Sequence, residues 1–380
     1  MPELHRTCAM EIKIVNSKAL LKQYIFLPEK IYKGDARWVP PMYDDEWNFH
    51  NPTQNKALSY CDTIRVIVYQ NDIPVGRVMG IIHHPYNQQH QEKTVRFFNL
   101  DCINDQHIAS VLLNFIENWG KEKGMTKIIG PYGFSDKDPQ GLQIEGLEHL
   151  PVIATPTNPA YLQLLVAHEK FQKEIDCVSY QMPIHATVPL YEKIFERLRK
   201  NQSLHLIEFK SKSKLKPYIL PVFRLVNEAY SHLFGFVPMT EEEMKKFAAQ
   251  YLPVLDPEFV KIVVDQHDTM IAFVVAMPDM SRGIQRAKGR LFPFGFIHIL
   301  RAIQKSTQLN LLLGAVKPGF QGKGLTVLLG KSILYTASKR NMNVMDSHLI
   351  LENNQLMRRE CERVGGKVYK RFRVYSKMIS

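Results

Sequence analysis

Two stretches of the chain alternate apolar and polar residues, TIRVIVYQNDIPVGRVMGIIH at 63–83 and FVKIVVDQHDTMIAFVVAMPD at 259–279. A period of two belongs to a strand with one face in a core. Each run is broken once by turn-forming residues, at Asn71-Asp72 and at His267-Asp268, so each predicts a β-hairpin. The same order of elements then runs on from both hairpins. After the first come a strand-like VRFFNLDCI, the helix-spaced HIASVLLNFIENWGKEKG, a short TKIIGP, a helical NPAYLQLLVAHEKF and a strand-like QKEIDCVSYQM. After the second come LNLLLGAV, a helix from Leu325, the strand-like NVMDSHLIL with Asp346 and His348 on one face, the helical NNQLMRRECERVG and KVYKRFRVYSK. A strand and a helix precede each hairpin, the second of these helices interrupted near Pro221.

The repetition is one of architecture, not of residues. It predicts two tandem domains of α/β (mixed α+β) class, each a mixed, mostly antiparallel sheet flanked by helices. A hairpin followed by strand, helix and strand combines antiparallel with parallel pairing. TVPLYEKIFERLRKNQ at 187–202 reads as a connecting helix, which sets the domains at 1–186 and 203–380.

Composition adds limits. A length of 380 residues suits two such domains, and 45% hydrophobic with 23% charged residues is ordinary for globular protein. No apolar run approaches the roughly 20 residues of a spanning helix, and MPELHRTCAMEIKIV lacks the apolar core of an export signal. Cys8, Cys61, Cys102, Cys177 and Cys361 are scattered, odd in number and without a CxxC pair. That pattern argues against a disulfide framework or a metal site and suits a reducing cytoplasm. The net charge of +12 favours anionic partners: nucleic acid, an acidic membrane surface or a phosphate-bearing small ligand.

Three glycines crowd the passage from LNLLLGAV into the helix from Leu325: Gly319, Gly322 and Gly324 in VKPGFQGKGLT. A Walker A loop fails, because Leu325 follows Gly324 where Lys and Ser/Thr are needed. A dinucleotide fingerprint fails as well, because Val327 stands in place of the third glycine. Successive amides at a glycine turn and helix N-terminus still make an anion site, with Lys323 as a rim cation, and such a loop suits a pyrophosphate.

VKPGFQGKGL resembles the V-x-P-x-x-[QR]-x-x-G-x-[GA] signature of the GNAT acyltransferase superfamily, with Gln321 and Gly324 on its Gln/Arg and first required Gly. ENNQLMRRECERVGG places Asn354 and Gly365 at the spacing of the family's downstream element. The resemblance covers the C-terminal half; the N-terminal half matches in outline and lacks the glycine turn, as a degenerate copy would. It implies a two-domain bacterial GNAT protein that transfers an acyl group, acetyl by first expectation, from acyl-coenzyme A to a primary amine by direct attack. It further implies that Gln321, Gly322, Lys323, Gly324, Leu325, Thr326 and Asn354 bind the coenzyme, with an oxyanion donor near Ala315 and Val316. Glu352 is then the candidate base, and Cys361, standing where many members carry a tyrosine, the candidate acid. Phe292, Phe294 and Phe296 are candidates to line an acyl or acceptor pocket, or simply to pack. Two other classes stay open at this point: a non-catalytic acyl-coenzyme A sensor, and a basic binder of nucleic acid or anionic surfaces.

Overall fold

The structure is a computed structural model that describes residues 10–185 and 188–379. It divides into two compact units that interleave in sequence. The first takes residues up to 177 together with 281–299 and 370 onward; the second takes 178–280 and 300–369. This replaces the single cut expected near residue 186. Residues 186 and 187, and Cys8, lie outside the described residues.

In chain order the first half gives β1 (Met10–Ile14), α1 (Lys18–Ile31), α2 (Tyr43–Phe49), β2 (Cys61–Gln70), β3 (Ile73–His83), α3 (His84–His90) and β4 (Thr94–Cys102). It continues with α4 (Gln106–Glu122), β5 (Lys127–Gly130), β6 (Leu142–Glu145), α5 (Ala160–His168) and β7 (Gln172–Pro183). The β2–β3 hairpin turns at Asn71 and Asp72 with φ of 51° and 64°, the left-handed pair that a tight hairpin requires. β1 to β4 pair antiparallel, β4 and β5 pair parallel, and β5 is closed antiparallel by the chain's last strand, Tyr375 opposite Gly130. On one face α4 buries Ile108, Leu112, Leu113 and Ile116 at helical spacing against Val66, Val78 and Phe97. On the other face α1 and α2 bury Tyr24, Leu27 and Tyr43 against Ile67, Met79 and Ile81.

The second half gives α6 (Pro189–Arg199), β8 (Leu204–Glu208), α7 (Ile219–Tyr230), α8 (Glu241–Tyr251), β9 (Val260–Asp265), β10 (Met270–Pro278), α9 (Ser281–Ala287) and α10 (Gly295–Lys305). It ends with β11 (Gln308–Val316), α11 (Leu325–Lys339), β12 (Val344–Asp346), β13 (Ile350–Leu351), α12 (Gln355–Arg363) and β14 (Lys367–Met378). The sheet of the second unit repeats the plan. β8 to β11 pair antiparallel, β11 and β12 parallel, and the end of β7 closes β12, with Gln181 opposite Asp346. α11 buries Leu325, Leu328 and Leu329, while α7 buries Val222, Leu225 and Val226 with Phe273 and Ala315.

A 3-10 stretch at Lys212–Tyr218 gives way to α7 at Ile219, and Pro221 lies in the first turn of α7, where its missing N–H is harmless. α6, between the halves, also packs: Ile194, Phe195 and Leu198 lie against Leu325 and Leu328. One expectation is corrected. NVMDSHLIL is not one strand, because β12 stops at Asp346 and His348 turns to φ 58° before β13. Asp346 and His348 therefore do not share a strand face.

Candidate active site

β11 and β12 pair at three positions only, Gln308 with Val344, Leu309 with Met345 and Asn310 with Asp346. Beyond that they part, and β11 runs on to Val316. The same strand carries a bulge: Val275 faces Leu313 and Ala276 faces Leu311, so Leu312 is the extra residue. The bulge sits two residues before Gly314. Lys317 donates its amide to Ile271 O at 2.8 Å. Ladder alternation then turns the amide of Ala315 toward Phe273 on β10, and those of Gly314 and Val316 toward the open edge. Of the two oxyanion candidates, only Val316 keeps an amide on that edge. Beside it the Tyr230 hydroxyl of α7 donates to Gly314 O at 2.8 Å.

The glycine turn carries the chain from this edge into α11. Gly319, Gly322 and Gly324 have φ of 85°, 73° and 86°, which explains the residue type at each. A side chain on Gly322 would point into open space, whereas one on Gly324 would meet Ile194 of α6 at 2.8 Å. Gly324 caps α11 without a side-chain hydrogen bond. Among the described residues, no group accepts from the amides of Gln321, Gly322, Lys323, Gly324, Leu325 or Thr326. Leu325 is buried by its side chain, while Gln321, Gly322, Lys323 and Thr326 are exposed. The Lys323 ammonium lies over the Phe320 ring at 4.8 Å, at the rim of the turn. A row of unclaimed donors at the positive end of a 15-residue helix has the electrostatics to hold an anion.

The residues expected to move protons fare differently. Cys361 is 1% exposed, packed with Met345 and Ile350, and burial pushes its thiol up to about 12. That makes it a poor proton donor to a leaving thiolate. Glu352 occupies the turn after β13, where its carbonyl oxygen accepts from Arg358 Nη1 at 2.9 Å. Asn354 is the N-cap of α12, its Oδ1 accepting from Met357 N at 3.2 Å.

Sequence reasoning undervalued the point where the strands part. Asn310 and Asp346 stand side by side there, each 1% exposed. Asn310 Nδ2 donates to Asp279 Oδ1 at 3.1 Å and Gln308 Nε2 donates to Asn310 Oδ1 at 2.8 Å. Asp346 accepts from the Tyr369 hydroxyl and, at 2.6 Å, from His348 N. Burial and the Asp346 charge hold the Tyr369 phenol protonated, well above its ordinary range. Among the described residues no Lys or Arg pairs with Asp346, so a buried carboxylate is held by neutral donors alone. The signal in the sequence was an acid in an otherwise apolar strand, NVMD.

The first unit has the same wedge without the receptor. β4 leaves β5 after Arg96 and Ile129, and bulges where Asn99 and Leu100 both face Val78. At the head of α4, however, Asp105 Oδ1 accepts from His107 N at 2.8 Å and Ile108 N at 3.4 Å. The chain's own carboxylate fills the place where an anion would bind.

The fold as a whole has solved counterparts. Across 98% of the chain the structure superposes on 99% of a tandem GNAT protein from the clavulanic acid biosynthesis pathway, with a TM-score of 0.55 at 12% identity. This is a tandem GNAT fold. A probable N-acyltransferase of Enterococcus faecalis V583 matches 98% of this GNAT-fold chain over 72% of its own length, with a TM-score of 0.51 at 8% identity. By sequence the chain is similar to Protein YghO of Escherichia coli (strain K12), 26% identical over 94% of this chain and 93% of that protein. It is also similar to a bacterial ceramide synthase of Caulobacter vibrioides, 25% identical over 96% of each. No protein-family model matches the chain.

Proposed function

We propose that this tandem GNAT protein is an acyl-coenzyme A-dependent N-acyltransferase, with the coenzyme held by the second unit. The observation that carries the proposal is the row of unclaimed amides from Gln321 to Thr326 beside the open edge of β11. Coenzyme A supplies a diphosphate for those amides and a thioester long enough to reach along the strand edge. Val316 N–H faces that edge and would donate to the thioester carbonyl oxygen as charge develops on it. Asp346 replaces Glu352 as our candidate base. A primary amine arrives as an ammonium, the counter-charge that this buried carboxylate lacks. The carboxylate takes one proton from the ammonium, the freed nitrogen lone pair attacks the thioester carbon and the C–S bond breaks, while the second nitrogen proton passes through water to the departing thiolate. Cys361 has no part in this scheme.

The name of the Caulobacter relative points to a class of acceptor, since a ceramide is the amide of a long-chain amino alcohol. We therefore propose a lipid amine as acceptor and a long-chain acyl donor, acting on the cytoplasmic supply of acyl-coenzyme A. The test pairs binding with turnover. Thiol release is followed with acetyl- and palmitoyl-coenzyme A against sphinganine and against short polyamines, and coenzyme affinity is measured for Gly322→Asp. That substitution places an anion in open space without touching the packing of α6. We expect affinity to fall at least tenfold and turnover to favour the long amine. Equal coenzyme binding by Gly322→Asp would overturn the assignment, and intact binding without turnover on any amine would leave a sensor.

A further inference from the structure

The segment from Ser281 to Lys305 carries Arg282, Arg286, Lys288, Arg290, Arg301 and Lys305 and not one acidic residue. Within it, Phe292, Phe294 and Phe296 are 77%, 67% and 41% exposed. These three rings sit within five residues at the head of α10, with Phe292 and Phe296 against each other at 6.3 Å. Such exposure does not fit the expectation that they pack in a core. Single exposed apolar residues are normal; three adjacent phenylalanines turned outward are not.

The tip is held stiffly. Its base is clamped by Tyr43 N donating to Gly289 O at 2.9 Å and by Gln285 Nε2 donating to Ala36 O and Trp38 O at 2.8 and 3.0 Å. Arg290 bonds Glu29 at 2.8 Å and lies over the Tyr43 ring. Gly289 and Gly295 are required by contact: a Cβ would come within 2.1 Å of Pro41 O in the first case and 1.7 Å of Arg290 O in the second. The backbone therefore folds tightly behind the rings and leaves them in solvent.

We propose that this tip docks the protein on an anionic phospholipid bilayer, the rings entering the interface and the cations meeting the headgroups. Aromatic side chains favour the depth between headgroup and acyl chain, and each nearby Lys or Arg adds attraction to an anionic leaflet. Arg282, Arg286 and Lys288 are exposed around the tip and no acid lies within the segment itself, while Glu29 beside it is neutralised by Arg290. No residue of the acyl-transfer site belongs to this surface. A bilayer-borne acceptor would give such a foot a use, but the surface stands without it.

The full chain, free of acyl-coenzyme A, is floated with vesicles of phosphatidylcholine alone or mixed equally with phosphatidylglycerol. The mixed vesicles are expected to retain it at least tenfold better. Phe292→Ser/Phe294→Ser should lose at least tenfold of that binding with thermal stability kept, and Arg286→Glu/Lys288→Glu should weaken it severalfold. Phe294→Trp should shift its emission to the blue on the mixed vesicles. Absence of binding, binding untouched by the serine pair, or equal retention on both vesicles each overturns the proposal. So does a concentration-dependent dimer that the serine pair abolishes while vesicle binding is nil, which would assign the tip to a second copy.

Discussion

Gly322 and Gly324 share a left-handed backbone for different reasons. Gly324 has α6 behind it, so an alanine would be strained and would collide; Gly322 faces nothing. The sequence motif shows that both are glycine, and only the structure separates the packed one from the open one. The same holds for acids and thiols. Asp346 in NVMD was legible as an oddity, but its burial without a cation depends on where β11 and β12 part, which no local pattern encodes. Asp346→Asn should lower kcat/KM for the amine at least a hundredfold with coenzyme affinity kept. Cys361→Ala should leave kcat within twofold and remove about 1–2 kcal/mol of stability. Buried histidines give a pH signature. Burial holds His83 down to about 4 and His50 well below its ordinary value, so both are neutral when folded. Unfolded, they take up protons below about pH 6.5, so their contribution is whole at neutral pH and is lost as pH falls toward 4. In urea titrations His83→Gln should flatten the loss of stability between pH 6.5 and 4 by about 2–3 kcal/mol.

At the scale of elements, periodicity located the hairpins and the helices α4, α5, α11 and α12, because each buries one face on a sheet. It did not locate the break after Asp346, since Ser347 and His348 leave the strand through a positive φ that any polar pair could have avoided. It read α6 as a connecting helix without its packing, because its apolar stripe points to a partner the local sequence does not name. The most informative contrast is between α4 and α11, equivalent helices with opposite heads. Asp105→Ala should cost the first unit about 1 kcal/mol by loss of its cap, measured by denaturant unfolding, and leave coenzyme affinity unchanged.

For the whole molecule, two domains were legible and their composition was not. Alternation says that β7 and β14 are strands; it does not say which sheet each completes. The end of β14 supplies the first unit with Tyr375, 4% exposed, and with Arg373, which binds both oxygens of Asp176 at 2.8 and 3.0 Å. Asp176 is itself 2% exposed. Truncation after residue 369 should therefore take both arginines, Arg371 and Arg373, from this buried acid, keeping Lys173 at 3.5 Å, and remove about 3 kcal/mol or more from the first unit. Hydrogen exchange should report it as lost protection in β5 with α11 unchanged.

On the function we propose, coenzyme capture depends on amides that the protein leaves for a ligand. Backbone resonances or exchange rates of Gln321 to Thr326, tracked as palmitoyl-coenzyme A is added, test this most directly. Those six amides should shift and become protected at saturation, while the head of α4 at Gln106 to Ala109 stays as it was. Unmoved signals at the glycine turn in a saturated sample, or a response at the head of α4 instead, would contradict it.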